Sequence, residues 1–349
     1  MVVAEEPEGD TQIPVRVRRS YSLRVRRVLI LAACVLPLLG GGGAGGAPSR
    51  PLVPTAIAFW DERHGLATFA RPERCERPVC AAIGRTTDGG RTWKLQPTSR
   101  AWTDLVVAPG GGAWARVPPD LTAGCGAPPS PTCRPPETLR SSDGGRTWQT
   151  ADVGWQDVRV ASFPTRSHGY AFSGARLLRT KDGGRSWREL RSPCDPSWSA
   201  HAAFVTQARG WILCARQPYG SRHPQALFTT RDGGSHWTLV MDAGYTRPGR
   251  SSPGAICGCG YPGGVSFARG GHGLIWQSGD LTYRTSNGGR TWSHVRFTVT
   301  DSVTGLSATQ LSARTAYLLV HSVRERRWDL RRTDDSGRSW RVVRAWQIP

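Results

Sequence analysis

One eight-residue phrase occurs six times, and it restricts the fold more than any other feature of the chain. The copies are Thr86-Thr-Asp88-Gly-Gly90-Arg-Thr-Trp93, Ser141-Ser-Asp143-Gly-Gly145-Arg-Thr-Trp148, Thr180-Lys-Asp182-Gly-Gly184-Arg-Ser-Trp187, Thr230-Arg-Asp232-Gly-Gly234-Ser-His-Trp237, Thr285-Ser-Asn287-Gly-Gly289-Arg-Thr-Trp292 and Thr333-Asp-Asp335-Ser-Gly337-Arg-Ser-Trp340. An Asp or Asn side chain can accept hydrogen bonds from N–H groups two or three residues ahead. That closes a tight turn, which Gly completes because it is free to take positive φ. The Ser or Thr leads in from the preceding strand, and the Trp buries a large ring where the next strand starts. Asn287 keeps the acceptor oxygen and loses the charge. A structural turn tolerates that change and a catalytic carboxylate would not, so all six boxes are read as structural.

Upstream of each box lies an apolar run, a polar turn and a second apolar run. Examples are Ala56–Phe59 before Gly65–Phe69, Ala203–Val205 before Gly210–Leu213, and Val265–Phe267 before Gly273–Trp276. Adding the strand that ends in the box and the strand that starts at its Trp gives four short strands per repeat. Four strands per repeat is the blade of an all-β propeller. Steps between successive box acids are 55, 39, 50, 55 and 48 residues, and a hidden blade would need about 40 residues more than a normal step. Six blades are therefore expected, at about 54–97, 101–152, 156–192, 199–241, 263–296 and 304–345, in one domain over 51–349.

These phrases resemble the BNR or Asp-box propellers: sialidases, xyloglucanase-type glycosidases, sortilin-type receptors and photosystem II stability and assembly factors. The pairing of F-x-x-x-x-x-G-apolar with L-x-R-T-x-D-G-G-R-T-W is most similar to the assembly-factor group, over about residues 54 to 345. That group implies a seven-bladed ring, the alternative to the six blades counted here. Across the whole set the resemblance implies the fold, because the relatives include hydrolases, receptors and assembly chaperones.

Residues 1–50 read as an export segment. Arg16, Arg18, Arg19, Arg24, Arg26 and Arg27 precede an apolar run, Val28 to Leu39, and a Gly-rich tract at 40–47. This order matches a secretory signal. Val28 to Ala47 is also an uncharged stretch of 20 residues, long enough for a retained anchor. Leu31-Ala32-Ala33-Cys34 resembles a lipobox, which makes Cys34 a lipidation candidate, and Arg18-Arg19 a loose twin-arginine signal. The chain is thus expected in the envelope or outside the cell, touching membrane only through this segment. Beyond it, Cys75, Cys80, Cys125, Cys133, Cys194, Cys214, Cys257 and Cys259 form an even set suited to disulfides. Cys75 with Cys80 and Cys125 with Cys133 are the local pairs. A Cys257–Cys259 bridge would span one residue, so Cys194 and Cys214 are each expected to pair with one of those two. No zinc-type spacing accompanies Cys257-Gly-Cys259, and neither metal nor cofactor is expected.

In a four-stranded blade the A–B and C–D turns share one face, and the B–C and D–A loops share the other. The boxes are C–D turns, whereas all eight cysteines map to the opposite face together with the Pro-rich insert at 118–136. Cross-linked insertions of that kind suit a binding surface. The net charge of +20 is nearly all arginine, Lys94 and Lys181 being the only lysines. Codon bias in a GC-rich genome explains this better than a selected anionic partner does, and the arginines follow no nucleic-acid-binding pattern. A monomeric, non-catalytic scaffold for a protein or glycan is expected, and a glycoside hydrolase of sialidase or xyloglucanase type is the alternative. The Phe/Tyr-Arg-Ile-Pro phrase of sialidases is absent from blade one. Asp61, Asp104, Asp157, Asp195 and Asp301 are the acids expected near the channel mouth. His64, His168 and His272 are expected in A–B turns.

Overall fold

The computed structural model describes residues 51–71, 81–119, 134–195, 199–220, 222–246, 250–279, 281–296 and 303–347. Residues 1–50, where the sequence suggests an export segment, lie outside them. Blade one comprises β1 (Val53–Phe59), β2 (Gly65–Ala70), β3 (Ala81–Thr86) and β4 (Lys94–Thr98). Blade two comprises β5 (Thr103–Ala108), β6 (Gly112–Val117), β7 (Glu137–Ser141) and β8 (Gln149–Thr150). Blade three follows with β9 (Val158–Ser162), β10 (Gly169–Ser173), β11 (Arg176–Thr180) and β12 (Arg188–Leu190). Blade four has β13 (Ser199–Phe204), β14 (Gly210–Ala215), β15 (Gln225–Thr230) and β16 (Thr238–Ala243). Blade five has β17 (Pro262–Phe267), β18 (Gly273–Gln277), β19 (Thr282–Thr285) and β20 (Ser293–His294). Blade six ends the chain with β21 (Val303–Gln310), β22 (Ala316–Ser322), β23 (Arg327–Thr333) and β24 (Arg341–Gln347). Each sheet is an antiparallel meander in chain order. The first strands neighbour one another around the ring, and β21 lies beside β1 to close it, which makes a six-bladed propeller. Among the described residues no helix is long and apolar enough to cross a membrane.

The box turns explain why the strands end where they do. Thr86 Oγ1 accepts the Gly90 N–H at 2.9 Å and donates to Asp88 Oδ1 at 2.8 Å. Asp88 in turn accepts the N–H and hydroxyl of Thr92, at 3.0 and 2.6 Å. The acid therefore reaches N–H groups three and four residues ahead, as Asp143 does with Arg146 and Thr147, one residue farther than the sequence reading placed them. Asn287 accepts the Thr291 N–H at 3.0 Å and reverses the side-chain bond, its amide donating to Thr291 Oγ1 at 2.8 Å. In five boxes the residue after the acid is a Gly at positive φ; in the sixth Ser336 takes that conformation, at φ 67°.

Between blades, the recurring contact is an aromatic at the start of the second strand stacked on a Phe that ends the first strand of the next blade. The pairs are Trp114–Phe163 (5.2 Å), Tyr170–Phe204 (3.3 Å), Trp211–Phe267 (4.0 Å) and, across the ring closure, Tyr317–Phe59 (3.9 Å). Within its own blade each Phe ring lies over a facing Gly. A Cβ on Gly210 would stand 2.3 Å from Phe204, and one on Gly65 2.6 Å from Phe59. This is the physical content of the F-x-x-x-x-x-G phrase. Closure is further held by the Tyr317 hydroxyl donating to Glu62 O at 2.8 Å and by Arg332 paired with Glu62 and Asp334.

The boxes also set the acid response. Burial alone would raise the Asp88 carboxyl, but bonds from Thr92 and Thr86 outweigh it and hold it at about 2, against an ordinary 3.8. The Thr147 N–H lowers Asp143 further, the Ser186 hydroxyl does so for Asp182, and the Ser339 hydroxyl for Asp335. Carboxyls depressed in the folded state contribute stability that is complete above the unfolded value near 4. It is lost as pH falls through the folded values. Urea midpoints are therefore expected to fall below about pH 4. Asp143→Asn should still fold, since the natural Asn287 box keeps the same turn, but with a lower pH 7 midpoint and a flatter acid limb; an unchanged limb would count against this account.

Candidate functional site

Hydrogen bonds identify the two faces. Box N–H groups donate to the A–B turn of their own blade: Gly89 to Arg63 O at 2.9 Å, Gly183 to Ser167 O at 2.8 Å, Gly233 to Ala208 O at 2.8 Å and Ser336 to Arg314 O at 2.9 Å. Box and A–B turns thus share one face, and the B–C and D–A loops occupy the other. Asp61 lies on the box face. Its carboxylate accepts the N–H groups of Arg63 and His64 and meets the His64 ring at 2.9 Å. It is a turn residue, not the channel-mouth acid the sequence suggested, because it follows β1 instead of preceding it. His168 likewise closes a turn, its N–H bonded to Thr165 at 2.9 Å, and the His272 carbonyl accepts from Ala268 at 2.8 Å.

The loop-bearing face carries the cysteines that are described; Cys34, Cys75, Cys80, Cys125 and Cys133 lie outside the described residues. Cys194 bonds Cys214 and Cys257 bonds Cys259, each pair with Cα atoms 5.3 Å apart. This corrects the crossed pairing expected from spacing. The reason is the blade architecture: Cys194 and Cys214 are buried in the core between blades three and four, while Cys257 packs on the core between blades four and five.

Over blades four and five the D–A loop is tied down from below. Gln225 and Gln277 are fully buried. Gln277 donates to Gln225 Oε1 at 2.9 Å and to the Cys257 carbonyl at 3.2 Å, and Gln225 donates to Gly260 O at 2.8 Å. The His223 N–H adds a bond to Gly258 O at 2.7 Å. Asp242 caps the start of the loop, accepting the Tyr245 N–H at 2.6 Å. Neither glutamine was singled out from sequence, where each is one polar residue in an apolar run.

The inner strands enclose a central channel with a cavity of about 410 Å³. Strands β5, β9 and β13 begin at the loop-bearing face, so Asp104, Arg159 and His201 lie toward that mouth. Arg116 joins the cluster, with Nη2 at 2.6 Å from Asp157 Oδ1 and Nη1 at 3.9 Å from Asp104 Oδ2. Asp104 and Asp157 both take φ 49°, a left-handed conformation that costs a non-glycine residue and is tolerated best by Asp and Asn. Arg159 donates to Ala200 O at 2.5 Å and stands 5.1 Å over the Phe172 ring. Burial, and then the neighbouring Arg159, hold His201 at about 3, so it is neutral. Among the described residues lining the channel, Asp104 is the one carboxylate, and no tyrosine is present. A second cleft, of about 460 Å³, opens on this face between blades one and two, where Arg100 pairs with Glu137 at 2.9 Å.

Of the other expected acids, Asp195 sits in the D–A loop with its N–H directed to the Tyr245 hydroxyl at 3.4 Å. Asp301 lies outside the described residues. The box residues Asp88, Asp143, Asp182, Asp232, Asn287 and Asp335 belong to the opposite face, while Trp93, Trp148, Trp187, Trp237, Trp292 and Trp340 pack against the blade cores, Trp148 also lining the second cleft; none of them lines the channel. No group of three His, Cys, Asp or Glu side chains among the described residues is placed to hold a metal ion.

No protein-family model and no curated protein matches the chain. Among solved structures, YCF48 from Cyanidioschyzon merolae is 17% identical with a TM-score of 0.44, the match covering 85% of this chain and 86% of that one. The GH74 xyloglucanase from Xanthomonas campestris is 18% identical with a TM-score of 0.29, over 86% of this chain and 49% of that one. A PL25 ulvan lyase is 10% identical with a TM-score of 0.49, over 86% of both chains. At these values none of them decides what this chain does.

Proposed function

We propose that the chain is an exported, non-catalytic propeller that binds a protein or glycan partner through its loop-bearing face, as a scaffold at the cell envelope. The carrying observation is the state of the channel-mouth acids: Asp104 and Asp157 share Arg116, with Arg159 beside them. A glycoside hydrolase needs one carboxyl that keeps its proton and a second across the groove. Among the described residues lining the channel Asp104 is the one carboxylate, and Arg116 engages it together with Asp157, an arrangement that suits recognition better than proton transfer. The two clefts and the Cys194–Cys214 bridge on the same face add preorganised relief for a partner.

The test is capture by the full chain from its own envelope fraction, with and without Arg116→Ala. Retention of one protein or glycan is expected, weakened about tenfold by the substitution, as for loss of a charged interface residue. Release of sugar from an envelope polysaccharide, abolished by Asp104→Asn, would reverse the reading in favour of hydrolysis.

A further inference from the structure

We propose that Cys257–Cys259 is a transferable disulfide, which the protein donates to a cysteine-bearing segment of another exported protein. The bond encloses a single residue, Gly258. A ring that short removes little entropy from the unfolded chain, whereas Cys194–Cys214, 20 positions apart, closes a substantial loop. The loop that carries it is already held by the Gln225–Gln277 pair and the His223 N–H. Structural duty thus falls on other groups, and the disulfide is left to do something else.

Accessibility points the same way. Cys194 and Cys214 are buried, but Cys259 is exposed and Cys257 half-buried. Exposed disulfides are the labile and catalytic ones. Tyr261, two residues from Cys259, is 60% exposed and offers apolar contact to an unfolded segment. A client thiolate attacks Cys259 Sγ, the S–S bond breaks, and Cys257 leaves as the thiolate. The client's second thiolate then attacks its own sulfur in the mixed disulfide and releases Cys259. Two electrons and two protons pass from the client dithiol to Cys257 and Cys259, and the client gains the disulfide. This chemistry stands apart from the binding reading, since neither channel nor Arg116 takes part.

The probe is a reduced synthetic peptide carrying two cysteines, mixed anaerobically with the oxidised full chain. Mass mapping after alkylation should find about one equivalent of peptide disulfide, with Cys257 and Cys259 alkylated and Cys194–Cys214 intact. With oxidised peptide, Cys257→Ser should trap a mixed disulfide on Cys259, at least tenfold more than Cys259→Ser traps on Cys257. The double serine variant should keep the thermal midpoint of the unaltered protein. Peptide oxidation no faster than with that double variant would overturn the proposal. So would equal reduction of Cys194–Cys214, or a midpoint loss in the double variant as large as that from Cys194→Ser/Cys214→Ser.

Discussion

Trp211→Ala is expected to destabilise the propeller by about 3–5 kcal/mol in urea unfolding, the range for truncating a buried large aromatic. Trp211 is 1% exposed and forms the wall between blades four and five. Its ring stacks on Phe267 at 4.0 Å, Arg209 stands 5.2 Å over it, and its indole N–H donates to Gly288 O at 2.9 Å. Removing it opens a cavity and leaves a box carbonyl without its donor. Trp211→Phe keeps the stack and loses the bond, so it should cost about 1 kcal/mol beyond the lost volume. A cost below about 1 kcal/mol for the alanine variant would mean that blade interfaces are not what holds the ring.

The second large effect concerns a charge. Asp329 and Arg331 in β23 are both buried, with Arg331 Nη2 at 2.9 Å from Asp329 Oδ2 and Arg327 Nε at 2.7 Å from Oδ1. Positions two apart on a strand share a face, so one carboxylate answers two guanidiniums. Asp329→Ala should cost about 3–5 kcal/mol, because the buried Arg331 and the half-buried Arg327 both lose the carboxylate they are bonded to. Arg341→Ala, at an exposed pair 3.5 Å from Asp334, should cost under about 1 kcal/mol. Equal losses from the two substitutions would show that burial does not govern these pairs.

Much of this scaffold was legible because its parts are local. A box turn spans eight consecutive residues, and Phe204 meets Gly210 across one hairpin, so spacing alone exposed both. The pairing partners of Cys194 and Cys257 were not legible, since proximity there depends on which inter-blade core each one enters. Serines that cross-link the inner strands escaped for the same reason: Ser162 accepts the Phe204 N–H at 3.0 Å and Ser307 the Ile57 N–H at 3.2 Å. In sequence each is one small polar residue in a strand, with its partner a whole blade away for Ser162 and at the other end of the propeller for Ser307.

The sequence by itself determined six repeats, four strands in each, and the assignment of the boxes and of the four described cysteines to opposite faces. Those follow from strand alternation and turn chemistry, which act over a few residues. Tertiary structure alone decided that Asp61 belongs to a box-face turn and that Asp104, Asp157, Arg116 and Arg159 meet at one channel mouth. It also decided that two buried glutamines anchor the Cys257–Cys259 loop. Each of those meetings joins different blades, or the two ends of a strand to different faces, and only closure of the ring brings such residues within reach of one another.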